Sequence, residues 1–168
     1  MLRTFALAAA LALTTVATAS PAIAQNVTAD AKVISAILRE QNFWATIEAD
    51  KQGDPLIQAT FEQGTKFRIY FYGCEKNANC TSIQFVAAFT DTKAGAAEMV
   101  KWNTEYRFAR AYLDSDGDAV LEMDLNLDEG GISKALFVDH LDLWDAILGH
   151  YSDLLYPEET KDPAPAKI

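Results

Sequence analysis

Cys74 and Cys80, separated by five residues in YFYGCEKNANCTSIQF, are the two thiols of this 168-residue chain. They lie between two segments of strand character. An even pair across a hairpin loop in an oxidising compartment reads as a disulfide. Closing a seven-residue loop contributes about 2.4 kcal/mol through chain entropy. A redox-active pair is the weaker alternative, because the spacing is not C-x-x-C and no helix start follows Cys74 to lower its pKa.

Asp114-Ser115-Asp116-Gly117-Asp118 places carboxylates at the first, third and fifth positions of a would-be calcium loop. Its glycine comes at the fourth position instead of the sixth, and Leu125 stands where a bidentate Glu is needed. A solvated hairpin turn fits better, since Asp-Gly between alternating apolar arms is a hairpin signal. His140 and His150 are ten residues apart on one expected helix, so they do not converge on a shared ligand position. His140 falls near the apolar stripe, as a core histidine would, and His150 at the exposed C-terminal end. No Walker, G-x-S-x-G, G-x-G-x-x-G or H-E-x-x-H pattern occurs. Catalytic, metal and cofactor assignments are therefore none. A hydrolase or lyase would need a site assembled in space, and a cation-sensing module would need the acidic hairpin.

Lys66, Arg68, Tyr70 and Tyr72 share one side of a strand and form either a binding surface or, more commonly, a face half covered by a helix. Trp102 and Trp144 read as helix residues packing on the sheet. Asn103 is placed to cap or to bridge to a neighbouring strand. Asn26-Val27-Thr28 and Asn79-Cys80-Thr81 match glycosylation sequons, which matter only on a eukaryotic secretory route.

The elements that must position these groups follow from periodicity. Residues 1–24 have Arg3 ahead of an apolar run and Ala22-Ile23-Ala24 before Gln25, the pattern of a signal peptide cleaved between Ala24 and Gln25, with Ala17-Thr18-Ala19 offering a second junction after Ala19. The run is too short to span a bilayer, so no stable membrane anchor is expected. This leaves a domain over 25–156 and an acidic, proline-bearing disordered tail over 157–168. A helix is expected over 30–40, capped by Thr28 or Asp30, and strands over 44–49 and 56–61. Further strands span 65–72, with Phe67, Ile69 and Phe71 inward, and the segment carrying Ile83, Phe85, Ala87 and Phe89 on one face. A helix over 93–105, capped by Asp91 or Thr92, precedes a hairpin of 108–113 and 119–127. Ser133 caps a last helix to Leu155, with Leu136, Phe137, Leu141, Trp144, Ile147, Leu148 and Tyr151 as its stripe. The order α-β-β-β-β-α-β-β-α makes an α+β domain with three helices and a mostly antiparallel sheet of about six strands.

The reversal Lys51-Gln52-Gly53-Asp54-Pro55, the segments KFRIYFYGC and CTSIQFVAAF, and VKWNTEYRFARAYLDSDGDAVLEMDL followed by GGI and a long helix together resemble the YbjN domain family, bacterial proteins labelled sensory transduction regulators. The resemblance covers roughly residues 28–155, and the cysteine pair looks like a mark of an exported branch. It implies a fold similar to type III secretion chaperones, which bind protein segments and often form homodimers, and it implies no reaction. The expected function is an exported, non-enzymatic module, in the bacterial periplasm or outside the cell, that binds a protein or peptide partner. Nucleic acid is not expected as a partner of a chain with formal charge −10. Residues 25–113 are charge-balanced, whereas 114–168 carry 14 acids against Lys134, Lys161 and Lys167. That stretch is either a solvated acidic surface or an acidic edge that steers a basic partner.

Overall fold

A computed structural model describes residues 26–157. The expected leader with its Ala24–Gln25 junction, and residues 158–168 of the expected tail, lie outside the described residues. The elements run α1 (Ala31–Glu40), β1 (Trp44–Ala49), β2 (Pro55–Thr60), β3 (Lys66–Tyr72), β4 (Ser82–Phe89), α2 (Ala96–Glu105), β5 (Arg110–Leu113), β6 (Ala119–Asn126) and α3 (Lys134–Leu155). This is the expected α+β order.

One six-stranded antiparallel sheet is formed in the order β1-β2-β3-β4-β6-β5. Period-2 alternation turns Ile57, Phe67, Ile69, Phe71, Ile83, Phe85, Leu121 and Met123 toward the helices, and all are buried. Phe67, Phe85 and Trp144 meet at ring separations of 5.8 to 6.4 Å and form the centre of the core.

Local chemistry sets the helix ends. Asp30 caps α1, its carboxylate accepting from the amides of Lys32 at 2.8 Å and Val33 at 3.2 Å. Ser133 caps α3 by accepting from Leu136 N at 3.2 Å. α2 begins later than expected. Asp91 adopts φ +57°, incompatible with the extended backbone of an N-cap, and the Glu98 carboxylate reaches back to Gly95 N at 2.7 Å and fixes the start there. That contact holds the Glu98 carboxyl below its usual range, the Gly95 amide being the main cause. β5 also starts late, because Phe108 sits at φ +73° and cannot extend the strand. In α3, Phe137, Leu141, Trp144, Ile147, Leu148 and Tyr151 are buried, but Leu136 is 43% exposed. It lies about 100° round the helix from Phe137, outside the stripe.

The β1–β2 and β5–β6 turns use one device. Asp50 accepts from the amides of Gln52 and Asp54 at 2.8 and 2.9 Å, and Asp114 from those of Asp116 and Asp118 at 2.9 Å each. Gly53 and Gly117 supply the positive φ in each turn. The sequence signature is D-x-x-G-D in both. At Gly131 the constraint is close approach: φ is +73°, and a Cβ would lie 2.1 Å from the carbonyl oxygen of Val27, whose backbone pairs with Ile132.

α2 covers the β5 edge of the sheet. The Asn103 amide donates to Ala111 O at 2.9 Å and accepts from Ala111 N at 2.8 Å, replacing the missing neighbour strand.

Candidate functional site

All three helices pack into one core on one side of the sheet. Among the described residues none covers the other side, so Lys66, Arg68, Tyr70 and Tyr72 lie on an open face, not under a helix. The strand register builds that face in rows. Gln58, Arg68, Val86, Glu122 and Arg110 form one row across five strands, and Leu56, Tyr70, Gln84 and Asp124 form the next. The β4 side chains on this face include the small Ser82, Val86 and Ala88. Larger residues flank them: Lys66, Arg68, Tyr70 and Tyr72 on β3, and Glu122, Arg110 and Tyr112 on β6 and β5. β4 is thus the floor of a channel. Near its Ala88 end is a hollow of about 280 Å³ bounded by Trp44, Gln58, Lys66, Arg68 and Val86. Trp44 beside it is 63% exposed.

A connected polar network crosses the middle of the channel. Arg110 reaches Glu122 Oε2 through Nε at 2.9 Å and Nη2 at 2.7 Å. The Tyr112 hydroxyl donates to Glu122 Oε1 at 2.6 Å. The Gln84 amide donates to Asp124 at 2.9 Å and accepts from the Tyr72 hydroxyl at 3.1 Å. Glu122 is only 7% exposed and Gln84 8%, so on this uncovered face they are shielded by their neighbours. A carboxylate so placed needs partners to offset lost hydration. Burial, followed by the Glu122 hydrogen bond, pushes the Tyr112 hydroxyl up to about 12. Burial and the Glu122 charge raise Tyr72, and the Glu122 hydrogen bond raises Arg110. Both oxygens of Glu122 already accept strong hydrogen bonds. The network therefore holds the channel's shape, and it offers no free base beside a free nucleophile.

Cys74 and Cys80 are joined by a disulfide. Inside its loop Glu75 and Ala78 pair through both backbone bonds around Lys76 and Asn77, which have φ +53° and +62°, the geometry of a type I′ turn. Three segments meet on this loop. Cys80 pairs with Ala29 ahead of α1, Leu127 N donates to Thr81 O at 2.9 Å, and the Asn77 amide donates to Asp54 in the β1–β2 turn at 3.0 Å. Gly73 is required where the loop closes, because at φ +64° its Cβ would lie 2.2 Å from Thr81 Oγ1.

The other sequence candidates do not assemble with these groups. Asp114 is committed to its own turn, and among the described residues no group of three His, Cys, Asp or Glu side chains is placed to hold a metal. His140 is not a core residue. It is half-buried at the helix surface, with Nδ1 2.8 Å from Leu136 O one turn back. His150 is exposed, its ring 6.0 Å from that of Tyr106. Trp102 and Trp144 are fully buried, and Trp102 donates to Ala109 O at 3.1 Å. Of the sequons, Asn79 lies in the disulfide loop, and the Asn26 amide donates to Gly130 O at 3.0 Å. The acidic stretch is dispersed. Its described carboxylates stand on the β5–β6 turn, on the open face at Glu122 and Asp124, in the loop at Asp128 and Glu129, and along α3.

The Arg110–Glu122–Tyr112 cluster escaped sequence reasoning, although a signal for it exists. The D-x-x-G-D turn fixes Leu113 opposite Ala119, and counting back sets Arg110 opposite Glu122.

A family model described as "YbjN: Putative bacterial sensory transduction regulator" matches residues 30–156. No curated protein matches the chain.

Proposed function

Since the chain belongs to the YbjN family of bacterial proteins, we propose that it is an exported, non-enzymatic regulatory module that binds a protein or peptide partner through the open face of its sheet. The family description is that of a regulator. The Cys74–Cys80 disulfide suggests an oxidising, exported compartment, and no described helix is long and apolar enough to cross a membrane. On this reading residues 1–24 are the leader that carries the chain to the bacterial periplasm, 25–156 the working domain, and 157–168 an acidic tail.

The observation that carries the proposal is the channel along β4. Among the described residues, six strands are covered on one side by three helices and left open on the other, and the open side carries the exposed Trp44, Tyr72 and Tyr112. Tyrosine and tryptophan on a rigid surface are the residue types that dominate protein interfaces. The polar network across the channel keeps that surface in one shape, which limits the ordering cost of binding.

An aromatic photo-cross-linking amino acid placed at Trp44, the exposed rim of the hollow, tests this in living cells. The expected result is a discrete covalent adduct that forms at position 44 and not at Asp142, an exposed α3 position on the covered side. The captured protein, once purified, should bind the wild-type chain and should fail to bind an Ala88→Glu variant. Equal labelling at both positions, or no adduct at position 44 across growth conditions, would refute the proposal.

A further inference from the structure

The channel is charged unevenly, and the unevenness selects a partner chemistry. At its Ala88 end the floor is apolar, formed by Val86 and Ala88. Two cations rise beside it on β3, Lys66 and Arg68, both exposed. Among the described residues the ion pairs are Arg110–Glu122 and Lys134–Glu40, so neither β3 cation has a carboxylate partner. The side-chain hydrogen bond of Arg68 is a long one, 3.5 Å to the Tyr70 hydroxyl. The strand carboxylates of this face are engaged by other groups. Glu48 accepts from Gln58 at 2.7 Å, Glu122 is held by Arg110 and Tyr112, and Asp124 accepts from Gln84.

Resting on the docking face proposed above, the geometry points to an acidic peptide segment as its occupant. An apolar residue of that segment lies over Val86 and Ala88 beside Trp44, and its carboxylates pair with Lys66 and Arg68. Spacing supports an extended segment. Lys66 and Arg68 are two residues apart on one strand, about 6.4 to 6.8 Å along it, which is the interval between alternate residues of a second extended chain. Two cations on one side of one strand favour an acid-x-acid motif laid beside them and disfavour a basic segment. Each ion pair between exposed groups strengthens binding by roughly 1.5- to 5-fold, so the two together account for about 2- to 30-fold.

Three fluorescein-labelled twelve-residue peptides test the assignment by fluorescence anisotropy with the full chain. They share their apolar residues and carry Glu, Gln or Lys at the alternating polar positions. The Glu peptide is expected to bind more tightly than the Gln peptide, and the Lys peptide most weakly. Lys66→Gln with Arg68→Gln should weaken the Glu peptide by about 2- to 30-fold and leave the Gln peptide unchanged. Lys66→Glu with Arg68→Glu should reverse the order in favour of the Lys peptide. Both sites are exposed, and an unchanged thermal unfolding curve for each variant excludes misfolding. Ala88→Gln is a second probe that keeps both cations and closes the floor without adding a charge opposite Lys66, and it should abolish binding of all three peptides. Equal affinity for the Glu and Gln peptides, or a Glu peptide indifferent to loss of both cations, overturns the acidic assignment. If the probe at position 44 still cross-links to a partner in cells, that failure lies with the charge chemistry and not with the docking face.

Discussion

Replacing Asn103 by Leu removes the side chain that completes the sheet at β5. The two bonds to Ala111, at 2.9 and 2.8 Å, contribute about 1 kcal/mol each. Ala111 is only 5% exposed, so leaving its amide and carbonyl without partners adds a desolvation cost of about 1 kcal/mol, the low end for a group that water can partly reach. Leucine is a better helix former than asparagine, which returns about 0.5 kcal/mol. The expected loss is about 2 to 3 kcal/mol. For a domain of this size that is a fall in Tm of roughly 8 to 12 °C, measured by urea and thermal unfolding followed in the far ultraviolet. Asn103→Asp separates the two bonds. Its carboxylate still accepts from Ala111 N but opposes the Ala111 carbonyl oxygen. Amide exchange at Ala111 should therefore stay protected in the Asp variant and accelerate in the Leu variant, by about 30-fold for 2 kcal/mol of local opening. If Asn103→Leu stays within 0.5 kcal/mol of wild type and Ala111 exchanges as before, the side chain does not substitute for a strand, and Met99 and Trp102 alone hold α2 in place.

Two further outcomes follow from the open face and the disulfide loop. In an alkaline absorbance titration, one tyrosine step near pH 12 should disappear in Tyr112→Phe and move back toward 10 in Glu122→Gln. Because the native hydroxyl is raised above its unfolded value of about 10, its stabilising effect is complete below pH 10 and is lost as the pH rises from 10 to 12; a native step at 10 would contradict the burial and hydrogen bond assigned to it. Reduction of Cys74–Cys80, or the paired Cys→Ser variant, should lower the urea-unfolding free energy by about 2.4 kcal/mol and speed amide exchange at Ala29, which pairs with Cys80; unchanged stability would show that the loop is held by its turn and its docking contacts alone.

What could be read from the sequence was what is local. Strand β3 was legible because Phe67, Ile69 and Phe71 alternate without interruption, and the β5–β6 turn because Asp114 and Gly117 carry its chemistry within five residues. The start of α2 was not legible, for the opposite reason. Asp91 and Thr92 are ordinary capping residues by type, and only the backbone conformation of Asp91, together with the Glu98–Gly95 contact, moves the start. G-x-x-E was the available sign. Phe108 has high strand propensity and fails to extend β5 because its φ is positive, which composition does not reveal. Leu136 and His140 sit at the margin of the α3 stripe, where a 100° error in placing the sheet decides between core and surface. The open face was the least legible feature. Lys66, Arg68, Tyr70 and Tyr72 present the same alternation whether a helix covers them or not, and the packing side of the helices is settled by long-range contacts of Phe137, Trp144 and Tyr151.

The charge distribution shows why that distinction matters for recognition. In sequence the acidic excess belongs to residues 114–168, which suggests a chain divided into a neutral and an acidic half. In space β6, from the acidic part, pairs with β4 from the neutral part, so the halves are interleaved. The charge that reaches the open face from β6 is tied up locally, Glu122 by Arg110 and Asp124 by Gln84, and this leaves Lys66 and Arg68 as the unanswered groups at the apolar end. A partner approaching from a distance meets a net-negative molecule, whereas within about 8 Å, the screening length at physiological salt, it meets two cations. The two effects respond to salt in opposite directions for an acidic partner: added salt screens the long-range repulsion and weakens the contact pairs. The sign of a salt dependence therefore cannot identify the contacts. Reversal of Lys66 and Arg68 can, because it changes the near field at the channel while altering the distant field only by a few charges in a molecule that is already acidic.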